Sequence, residues 1–288
     1  MGFFASIDGI ISPAAEARVS VLDNGFTFGD SVYETLRTYD GRPFVLGRHL
    51  ARLRRSAGRL GFEIPVKDVE LRMRVDAVLA AAKNPDSYFR MIVSRGVGDL
   101  SYNFERVKGP TVVILVKPWE PYPEEQFTAG IPVSLVEVRR NPKRCVDPAI
   151  KTSNLLNNVL ATLEAQKKGG FEAILLNERD EIAEGAGSNV FAGKGGVLRT
   201  PPLDAGILAG ITRDLVFELG RKLGVDIREE PLRAEDLLSA DEAFITSTLK
   251  EVTPISRVDE RVIGPGKPGA LTLRLQAAYR EKTRAHED

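Results

Sequence analysis

The chain has very few cysteines and histidines. Among its 288 residues there is one cysteine, Cys145, and there are two histidines, His49 and His286. A single cysteine excludes a disulfide within the chain and is typical of proteins from the reducing cytosol. His49 lies in a predicted helix and His286 in a charged tail, so neither a zinc site nor a serine–histidine triad is supported. We therefore expect a cytoplasmic protein without a metal centre.

The sequence also lacks an excess of charge and any long apolar run. Lysine plus arginine and aspartate plus glutamate both total 40. Such a balance argues against nucleic acid or an anionic membrane as the main partner. No apolar run approaches the roughly 20 residues that a membrane helix needs. Residues 1–10 lack the basic and apolar regions of a signal peptide.

The length and the distribution of proline predict two domains. Hydrophobic residues make up 43% of the chain and charged residues 28%, which is an ordinary globular composition. Prolines cluster at Pro118, Pro121 and Pro123, where they would stiffen a linker and weaken any strand. Predicted helices and strands are mixed on both sides of this stretch. We therefore predict an α+β fold with a small domain (1–118), a linker (119–130) and a large domain (131–288).

Hydrophobic periodicity predicts the elements of the first half. Residues 18–22 and 31–39 alternate like strands, and Asp40-Gly41 is a typical hairpin turn. Residues 48–60 have the period of an amphipathic helix. Residues 88–95 again alternate, so Phe89, Met91 and Val93 should share one face and Tyr88, Arg90 and Ile92 the other. Arg90 is thus predicted to lie opposite the apolar face of its strand, where it could orient a carboxylate or a pocket tyrosine, or equally form a salt bridge within the fold.

The most informative stretch of the second half is 147–158. Lys151 follows the apolar pair Ala149-Ile150 and precedes a polar patch in which Ser153 or Asn154 could cap a helix. Apolar residues then recur at helical spacing, namely Leu155, Leu156, Val159, Leu160 and Leu163. A desolvated lysine loses proton affinity and can act as a nucleophile that forms a Schiff base. A lone lysine before a helix is more often a surface residue. Whether Lys151 is a nucleophile therefore depends on the other motifs along the chain.

Three further motifs suggest a flat, phosphorylated ligand. Gly210-Ile211-Thr212 is at a predicted helix start, where free amide groups favour a phosphate. Ser247-Thr248 follows a predicted strand and offers further hydroxyl and amide donors. Glu184 lies in a loop of glycine, alanine and serine that would let a flat ligand approach closely. Each motif alone also fits an ordinary turn or helix cap.

Together and in this order, the motifs resemble the class IV aminotransferases, which are the fold-type IV enzymes of pyridoxal 5′-phosphate. The resemblance covers nearly the whole chain. Its motifs are residues 24–34, 49–53, 150–154, 184–191, 208–213 and 246–254. The implied fold is the two-domain α+β fold of these enzymes. The implied assembly is a homodimer in which a second subunit completes the site.

The resemblance also implies a role for each matching residue. Lys151 matches the lysine that holds the cofactor as a Schiff base and later moves a proton, and Glu184 matches the carboxylate paired with the pyridine nitrogen. The implied phosphate contacts are Arg52, Ile211, Thr212 and Thr248, and Leu208 would pack on the cofactor ring. Tyr33, Arg90 and Leu249 would line the substrate pocket.

Within the class, residues 88–90 and 95–100 resemble branched-chain amino acid aminotransferases. This resemblance implies amino-group exchange between a small, branched-chain amino acid and a 2-oxo acid such as 2-oxoglutarate. Leu155 and the pair Ser247-Thr248 instead resemble D-amino acid aminotransferases, although the Arg-x-His of some of those enzymes is absent at residues 100–102. The same motifs are also compatible with an (R)-amine transaminase, an aminodeoxychorismate lyase, and a cofactor-free binding module with the same fold.

Overall fold

The structure is a computed structural model that describes residues 1–285, which form two compact units. The first unit contains residues 1–121 and 150–154, and the second contains residues 122–149 and 155–285. Each unit combines helices with one sheet. The predicted α+β class is therefore confirmed. The described residues include no helix that is long and apolar enough to cross a membrane.

The first unit is built on a six-stranded antiparallel sheet with the strand order β2-β1-β6-β5-β3-β4. Its strands are β1 (Phe4–Ile7), β2 (Ile10–Pro13), β3 (Ser31–Tyr39), β4 (Arg42–Pro43), β5 (Ser87–Ser94) and β6 (Thr111–Pro118). Its helices are α1 (Asn24–Thr27), α2 (Leu46–Arg59) and α3 (Asp68–Ala82).

Alternation along β3 and β5 divides the two faces of this sheet. Val32 and Leu36 of β3 and Phe89 of β5 are fully buried in a core that α2 and α3 share. Strand side chains alternate between faces, so Tyr33 and Arg90 lie on the opposite, half-buried face. The face predicted for Arg90 from the sequence is therefore confirmed.

The second unit is built on a nine-stranded mixed sheet with the order β12-β11-β10-β13-β14-β7-β8-β9, and β15 pairs with β14. Its strands are β7 (Ile131–Leu135), β8 (Glu172–Leu176), β9 (Ile182–Gly185), β10 (Asn189–Lys194), β11 (Val197–Thr200), β12 (Asp226–Glu229), β13 (Glu242–Ser247), β14 (Glu251–Val258) and β15 (Arg261–Val262). Its helices are α4 (Glu125–Thr128), α5 (Leu156–Lys167), α6 (Ile211–Leu223), α7 (Ala234–Leu238) and α8 (Ala270–Ala285).

The strand predicted at residues 18–22 is wrong. This segment is irregular and ends in a turn in which the Asp23 N–H donates to Ser20 O at 3.1 Å. Val21 and Leu22 are exposed. An alternating pattern specifies a strand only where a neighbouring strand supplies hydrogen-bond partners and a core covers one face. Neither condition is met here.

The compact units differ from the predicted domain bounds around Lys151. Residues 150–154 fall within the predicted large domain but group with the first unit, because they hydrogen-bond to β3. The units divide after Pro121, inside the predicted linker. The rest of that stretch is not a plain linker, since it includes α4 with Phe127 buried. His286, at the end of the predicted large domain, lies outside the described residues.

The helix after Lys151 begins later than the predicted cap. α5 starts at Leu156 with Leu155 at its N-cap, so neither Ser153 nor Asn154 caps it. The Asn154 side chain instead donates to Gly29 O at 2.9 Å. The apolar residues Leu156, Val159, Leu160 and Leu163 are exposed, and the buried face of α5 is formed by Ala161 and Ala165.

Candidate active site

Lys151 lies on a segment that is fixed along the edge of β3. The Tyr33 N–H donates to Lys151 O at 2.9 Å, and the Ser153 N–H donates to Ser31 O at 2.9 Å. The Lys151 N–H donates to Ser56 Oγ of α2 at 3.1 Å. These bonds use only the backbone of Lys151. Its side chain, which is half-buried, is therefore positioned by a backbone that does not depend on it.

The amino group of Lys151 and the guanidinium of Arg90 both contact the ring of Tyr33. Lys151 Nζ is 4.4 Å from the ring centre and the Arg90 guanidinium carbon is 4.8 Å from it. Arg90 is paired with Thr35 in the β3–β5 register, and its Nε donates to Thr35 Oγ1 at 3.2 Å. One face of the sheet thus presents an amine, an aromatic ring and a guanidinium together.

Arg90 has no carboxylate within ion-pair distance among residues 1–285. Its two contacts are a neutral hydroxyl and an aromatic ring, and it is only half-buried. A fully buried charge is costly unless it is paired, but a half-buried guanidinium with only neutral contacts does not need a carboxylate from the fold. A guanidinium held in this way can bind a carboxylate from a ligand by a forked pair of hydrogen bonds.

A buried ion pair fixes Arg52. The Arg52 Nε and Nη2 atoms donate to Glu34 Oε1 and Oε2, each at 2.7 Å, and His49 Nδ1 is also 2.7 Å from Glu34 Oε2. Glu34 and His49 are fully buried. β3 supplies Glu34, whereas α2 supplies His49 and Arg52 about one turn apart. The carboxylate therefore sets the plane of the guanidinium.

Electrostatics keep this pair charged. Burial alone would raise the pKa of Glu34, but the Arg52 guanidinium and the His49 hydrogen bond hold it well below its usual value of 4.5. Burial lowers the pKa of His49 below its usual value despite the adjacent Glu34, which favours the neutral imidazole. A carboxyl whose pKa is lowered on folding stabilises the fold above its unfolded value, and this contribution is lost as the pH falls. The Glu34–Arg52 pair thus persists throughout the neutral range.

In the second unit, Glu184 is a buried carboxylate surrounded by donors. Arg140 Nε donates to Glu184 Oε1 at 2.8 Å, and the Leu208 N–H donates to Glu184 Oε2 at 2.9 Å. Asn189 Nδ2 lies 3.4 Å from the same Oε2. Arg140 is itself held by Asn157 Oδ1 of α5 at 3.0 Å. Both oxygens of the Glu184 carboxylate are therefore held in place, one by Arg140 and the other by the Leu208 N–H.

The start of α6 lies next to Glu184 in the same unit. The N-cap is Gly210, which has no side chain to cap the first turn, and Ile211 and Thr212 are buried there. Amide groups at a helix N-terminus favour a phosphate. Asn189 connects the segment before α6 to Glu184, because its Nδ2 also donates to Leu208 O at 3.0 Å. A Cβ on Gly210 would lie 1.9 Å from Asn189 Oδ1, which explains the glycine.

The turn between β13 and β14 carries Thr248 and Leu249, both half-buried. The turn is closed by the Lys250 N–H, which donates to Ser247 Oγ at 3.0 Å. The first residue of β14, Glu251, has a positive φ of 52° and is paired with Ser247 across the two strands. The strand end predicted at Ser247-Thr248 is present, since β13 ends at Ser247.

The sequence did not identify Glu34, His49, Arg140, Asn157 and Asn189 as site residues. Arg140 belongs to a basic loop with Arg139, Lys143 and Arg144, and these four cations look alike in sequence. In the structure its neighbours Arg139 and Arg144 form exposed ion pairs with Asp180 and Glu178. Arg140 instead turns toward Glu184. The usable signal for Glu34 and His49 was their presence within the motifs at 24–34 and 49–53.

Comparison with known proteins identifies the family. The family described as Amino-transferase class IV matches residues 31–258. The chain is 41% identical to the inferred branched-chain-amino-acid aminotransferase of Methanocaldococcus jannaschii over 266 residues, which are 92% of this chain and 91% of the relative. It is 34% identical to the D-alanine aminotransferase of Bacillus licheniformis over 271 residues, 94% of each chain.

A solved structure has the same fold and carries the cofactor. The branched-chain amino acid aminotransferase of Thermobaculum terrenum, in its pyridoxal phosphate form, superposes with a TM-score of 0.88 and 29% identity, covering 99% of this chain and 94% of that one. The chain therefore belongs to the class IV aminotransferases, the enzymes of fold type IV. It is a transaminase that depends on pyridoxal 5′-phosphate, as its sequence motifs predicted.

Proposed function

We propose that this enzyme exchanges the amino group between a small, branched-chain amino acid and a 2-oxo acid such as 2-oxoglutarate. Relatives named as branched-chain aminotransferases support this substrate class. When bound, the cofactor supplies an electron sink for the carbanion formed at the substrate Cα. The protein's own side chains then have to bind the cofactor, orient the substrate and move the Cα proton.

Each unit supplies residues with the chemistry that the cofactor needs. Lys151 provides the amine that bonds to the cofactor and carries the proton, and Arg52 provides a fixed guanidinium for the phosphate dianion. Glu184 provides the carboxylate for the pyridine nitrogen. The remaining assigned contacts are Leu208 on the ring and Ile211, Thr212 and Thr248 on the phosphate. The support is the burial of Arg52 and Glu184, the ion pair that each forms, and the start of α6, which has glycine as its N-cap.

The observation that carries the substrate assignment is Arg90. Its guanidinium stacks on Tyr33 and lacks a carboxylate partner among the described residues, while Lys151 Nζ contacts the same ring. An amino acid brings a carboxylate on the carbon that bears the reacting amine. The spacing of Arg90 and Lys151 about one ring therefore suits a carboxylate and an amine on one small molecule. Leu249 is assigned to the wall of the pocket that limits side-chain size.

Arg90→Ala should reduce activity on amino acids much more than on primary amines. A charge-assisted hydrogen bond contributes about 1.5–3 kcal/mol, or roughly 10- to 100-fold in kcat/KM for a carboxylate substrate. A primary amine has no carboxylate and should lose little. Steady-state kinetics with leucine, glutamate and a primary amine measure the difference. Equal losses on all three would mean that Arg90 only supports the strand.

A D-amino acid aminotransferase is the second candidate, and one relative with that activity in its name is 34% identical. Leu155 at the N-cap of α5 and the Ser247-Thr248 pair favour it. The Arg-x-His of some such enzymes would fall at Leu100 to Tyr102, and these two residues are exposed here. Parallel assays with the L- and D-enantiomers of alanine and leucine distinguish the two candidates, since each candidate transfers the amino group of only one enantiomer.

Two further rivals make different products. An aminodeoxychorismate lyase would release pyruvate from aminodeoxychorismate, so pyruvate release without amino-group exchange would reject the proposed transaminase activity. An (R)-amine transaminase would prefer chiral amines to leucine.

A third alternative is a binding module without cofactor. It would be colourless, whereas the proposed enzyme should be yellow when purified. The absorbance spectrum is therefore the first measurement to make.

Arg52→Ala should raise the cofactor dissociation constant by about 10-fold or more, because a charge-assisted donor to the phosphate is lost. It should also lower the melting temperature, since Glu34 would be left buried without its partner at a cost of about 3–5 kcal/mol. Equilibrium titration with pyridoxal phosphate at a temperature well below the melting point separates the two effects.

The matched control for Arg52 is Arg55→Ala, because Arg55 is an exposed residue of the same helix. Arg54 is less suitable, since it donates to Asp68 and to the carbonyls of Ile64 and Val66 and so contributes to the fold. An Arg55→Ala variant that loses as much cofactor affinity as Arg52→Ala would reject the phosphate assignment.

We also propose a homodimer, with α5 as part of its interface. Leu156, Val159, Leu160 and Leu163 follow the i, i+3, i+4, i+7 pattern of one helix face and are between 48% and 69% exposed. An apolar stripe of this size is unusual on a monomer surface and marks an interaction site. Light scattering should give about twice the chain mass of 31.6 kDa. A monomeric mass would contradict the proposed homodimer.

We also propose a cytoplasmic location. The exposed free Cys145 accords with a cytoplasmic location.

A further inference from the structure

A buried ion pair of the second unit involves the turn between β13 and β14. Lys250 Nζ donates to Glu172 Oε2. The Glu172 side chain is 4% exposed and that of Lys250 is 18% exposed. Lys250 belongs to the turn that carries Thr248 and Leu249, and Glu172 is the first residue of β8. The pair therefore fixes this turn to β8.

The same carboxylate also holds the loop that follows Glu184. Ser188 Oγ donates to Glu172 Oε2 at 3.1 Å. Ser188 closes that loop, because the Gly185 N–H donates to Ser188 O at 2.7 Å. A Cβ on Gly185 would lie 2.2 Å from Ser188 Oγ, so a larger residue there would displace this hydroxyl. Glu172 thus accepts one hydrogen bond from each of two segments.

Desolvation explains why Lys250 matters to this arrangement. A buried carboxylate is costly unless it is paired and hydrogen-bonded. Lys250 supplies the opposite charge, and Ser188 supplies a neutral donor. Without Lys250, Glu172 would keep only neutral donors and would have to turn toward water, which would alter its hydrogen bond to Ser188 in the loop and leave the turn without this tie. The spacing of these two segments consequently depends on the ion pair.

We propose that Glu172 and Lys250 are positioning residues that match the spacing of the Glu184 loop and the Thr248 turn to pyridoxal phosphate. This inference rests on the proposed roles of Glu184 at the ring nitrogen and Thr248 at the phosphate. The cofactor ring is rigid. Its nitrogen and its phosphate can therefore both be held only when the Glu184 loop and the Thr248 turn have the correct separation. Lys250 acts through the turn and the loop that it holds together.

The test compares Lys250→Gln, Lys250→Arg and the control Lys168→Gln in the holoenzyme. Lys168 lies in the same unit but pairs with Glu164 at the surface. The rate of cofactor loss is followed by the visible absorbance in the presence of a phosphatase that destroys only released cofactor. Lys250→Gln should release cofactor about 10-fold faster than the wild type. Lys250→Arg, which keeps the charge, should restore retention, and Lys168→Gln should match the wild type.

A second comparison uses the coupling between the partners. If the ion pair acts as one unit, Glu172→Gln combined with Lys250→Gln should release cofactor no faster than Lys250→Gln alone. Wild-type release rates in Lys250→Gln and in Glu172→Gln would overturn the inference. So would equal acceleration in Lys250→Arg, because that variant retains the charge. A wild-type protein that holds no cofactor would instead overturn the proposed function, and this inference with it.

Discussion

Lys151→Ala is expected to abolish turnover while the protein keeps its fold. The side-chain amine both bonds to the cofactor and carries the Cα proton, and loss of one general acid–base group alone costs about 10²- to 10⁴-fold. The fold should survive because β3 and Ser56 bind only the backbone of Lys151. The kcat for leucine should fall at least about 10³-fold, with an unchanged melting temperature. Lys67→Ala, at an exposed position of the same unit, is the control.

Borohydride reduction identifies the reacting lysine directly. Reduction should remove the visible band of the wild-type protein and fix the cofactor on one lysine, which peptide mass spectrometry can locate. We expect the label on Lys151 and none in Lys151→Ala. A label on a different lysine in the wild type would overturn the assignment of this site and of every role that depends on it.

The local elements of this protein could be predicted from periodicity. The helix predicted to open at Gly210-Ile211-Thr212 begins at Ile211 with Gly210 as its N-cap. The predicted faces of β5 are also correct, since Phe89, Met91 and Val93 are buried. Both depend on residues adjacent in sequence, where the 3.6- and 2-residue periods act directly. The family followed from the order of several such motifs.

Periodicity could not say what covers an apolar face. Residues 18–22 alternate like a strand but have no neighbouring strand within the described part of the chain, so they remain irregular. The stripe on α5 was predicted as a helix face, and the helix is present, yet the stripe is exposed because the core contacts come from Ala161 and Ala165. A pattern reports that an apolar face exists. Whether the same chain or a second copy buries it depends on tertiary and quaternary contacts.

Partner choice in the ion pairs was likewise beyond local sequence. Arg140 and Glu184 are 44 residues apart, and Glu34 and Arg52 are 18 apart. Nothing in the basic loop distinguishes Arg140 from Arg139, because both carry the same charge and differ only in which way the folded backbone directs them. The structure thus adds the residues that orient Arg52 and Glu184, whereas the sequence motifs supplied the two residues themselves.

Glu184→Gln should leave the cofactor bound but greatly slow removal of the substrate Cα proton. The neutral amide cannot hold the proton on the pyridine nitrogen, so the electron sink weakens. Loss of one electrostatic contact of this kind costs about 10²- to 10³-fold, and a 100-fold fall corresponds to about 2.7 kcal/mol of activation free energy. Stopped-flow measurement of the half-reaction with leucine, at saturating cofactor, isolates this step from binding.

The contacts of Glu184 determine the controls for this variant. Glu184 accepts from Arg140 on one oxygen and from the Leu208 N–H on the other. The amide group in Glu184→Gln must face one of these donors, so a loss of about 1–3 kcal/mol in stability is expected in addition. The control for charge removal is Glu178→Gln, because the Glu178 carboxylate forms an exposed ion pair with Arg144. Unfolding curves of both variants measure the loss in the free energy of unfolding, so that it can be separated from the effect on rate. Half-reaction rates that match the wild type in Glu184→Gln would show that Glu184 only shapes its turn, and the carboxylate for the ring nitrogen would then have to be sought elsewhere.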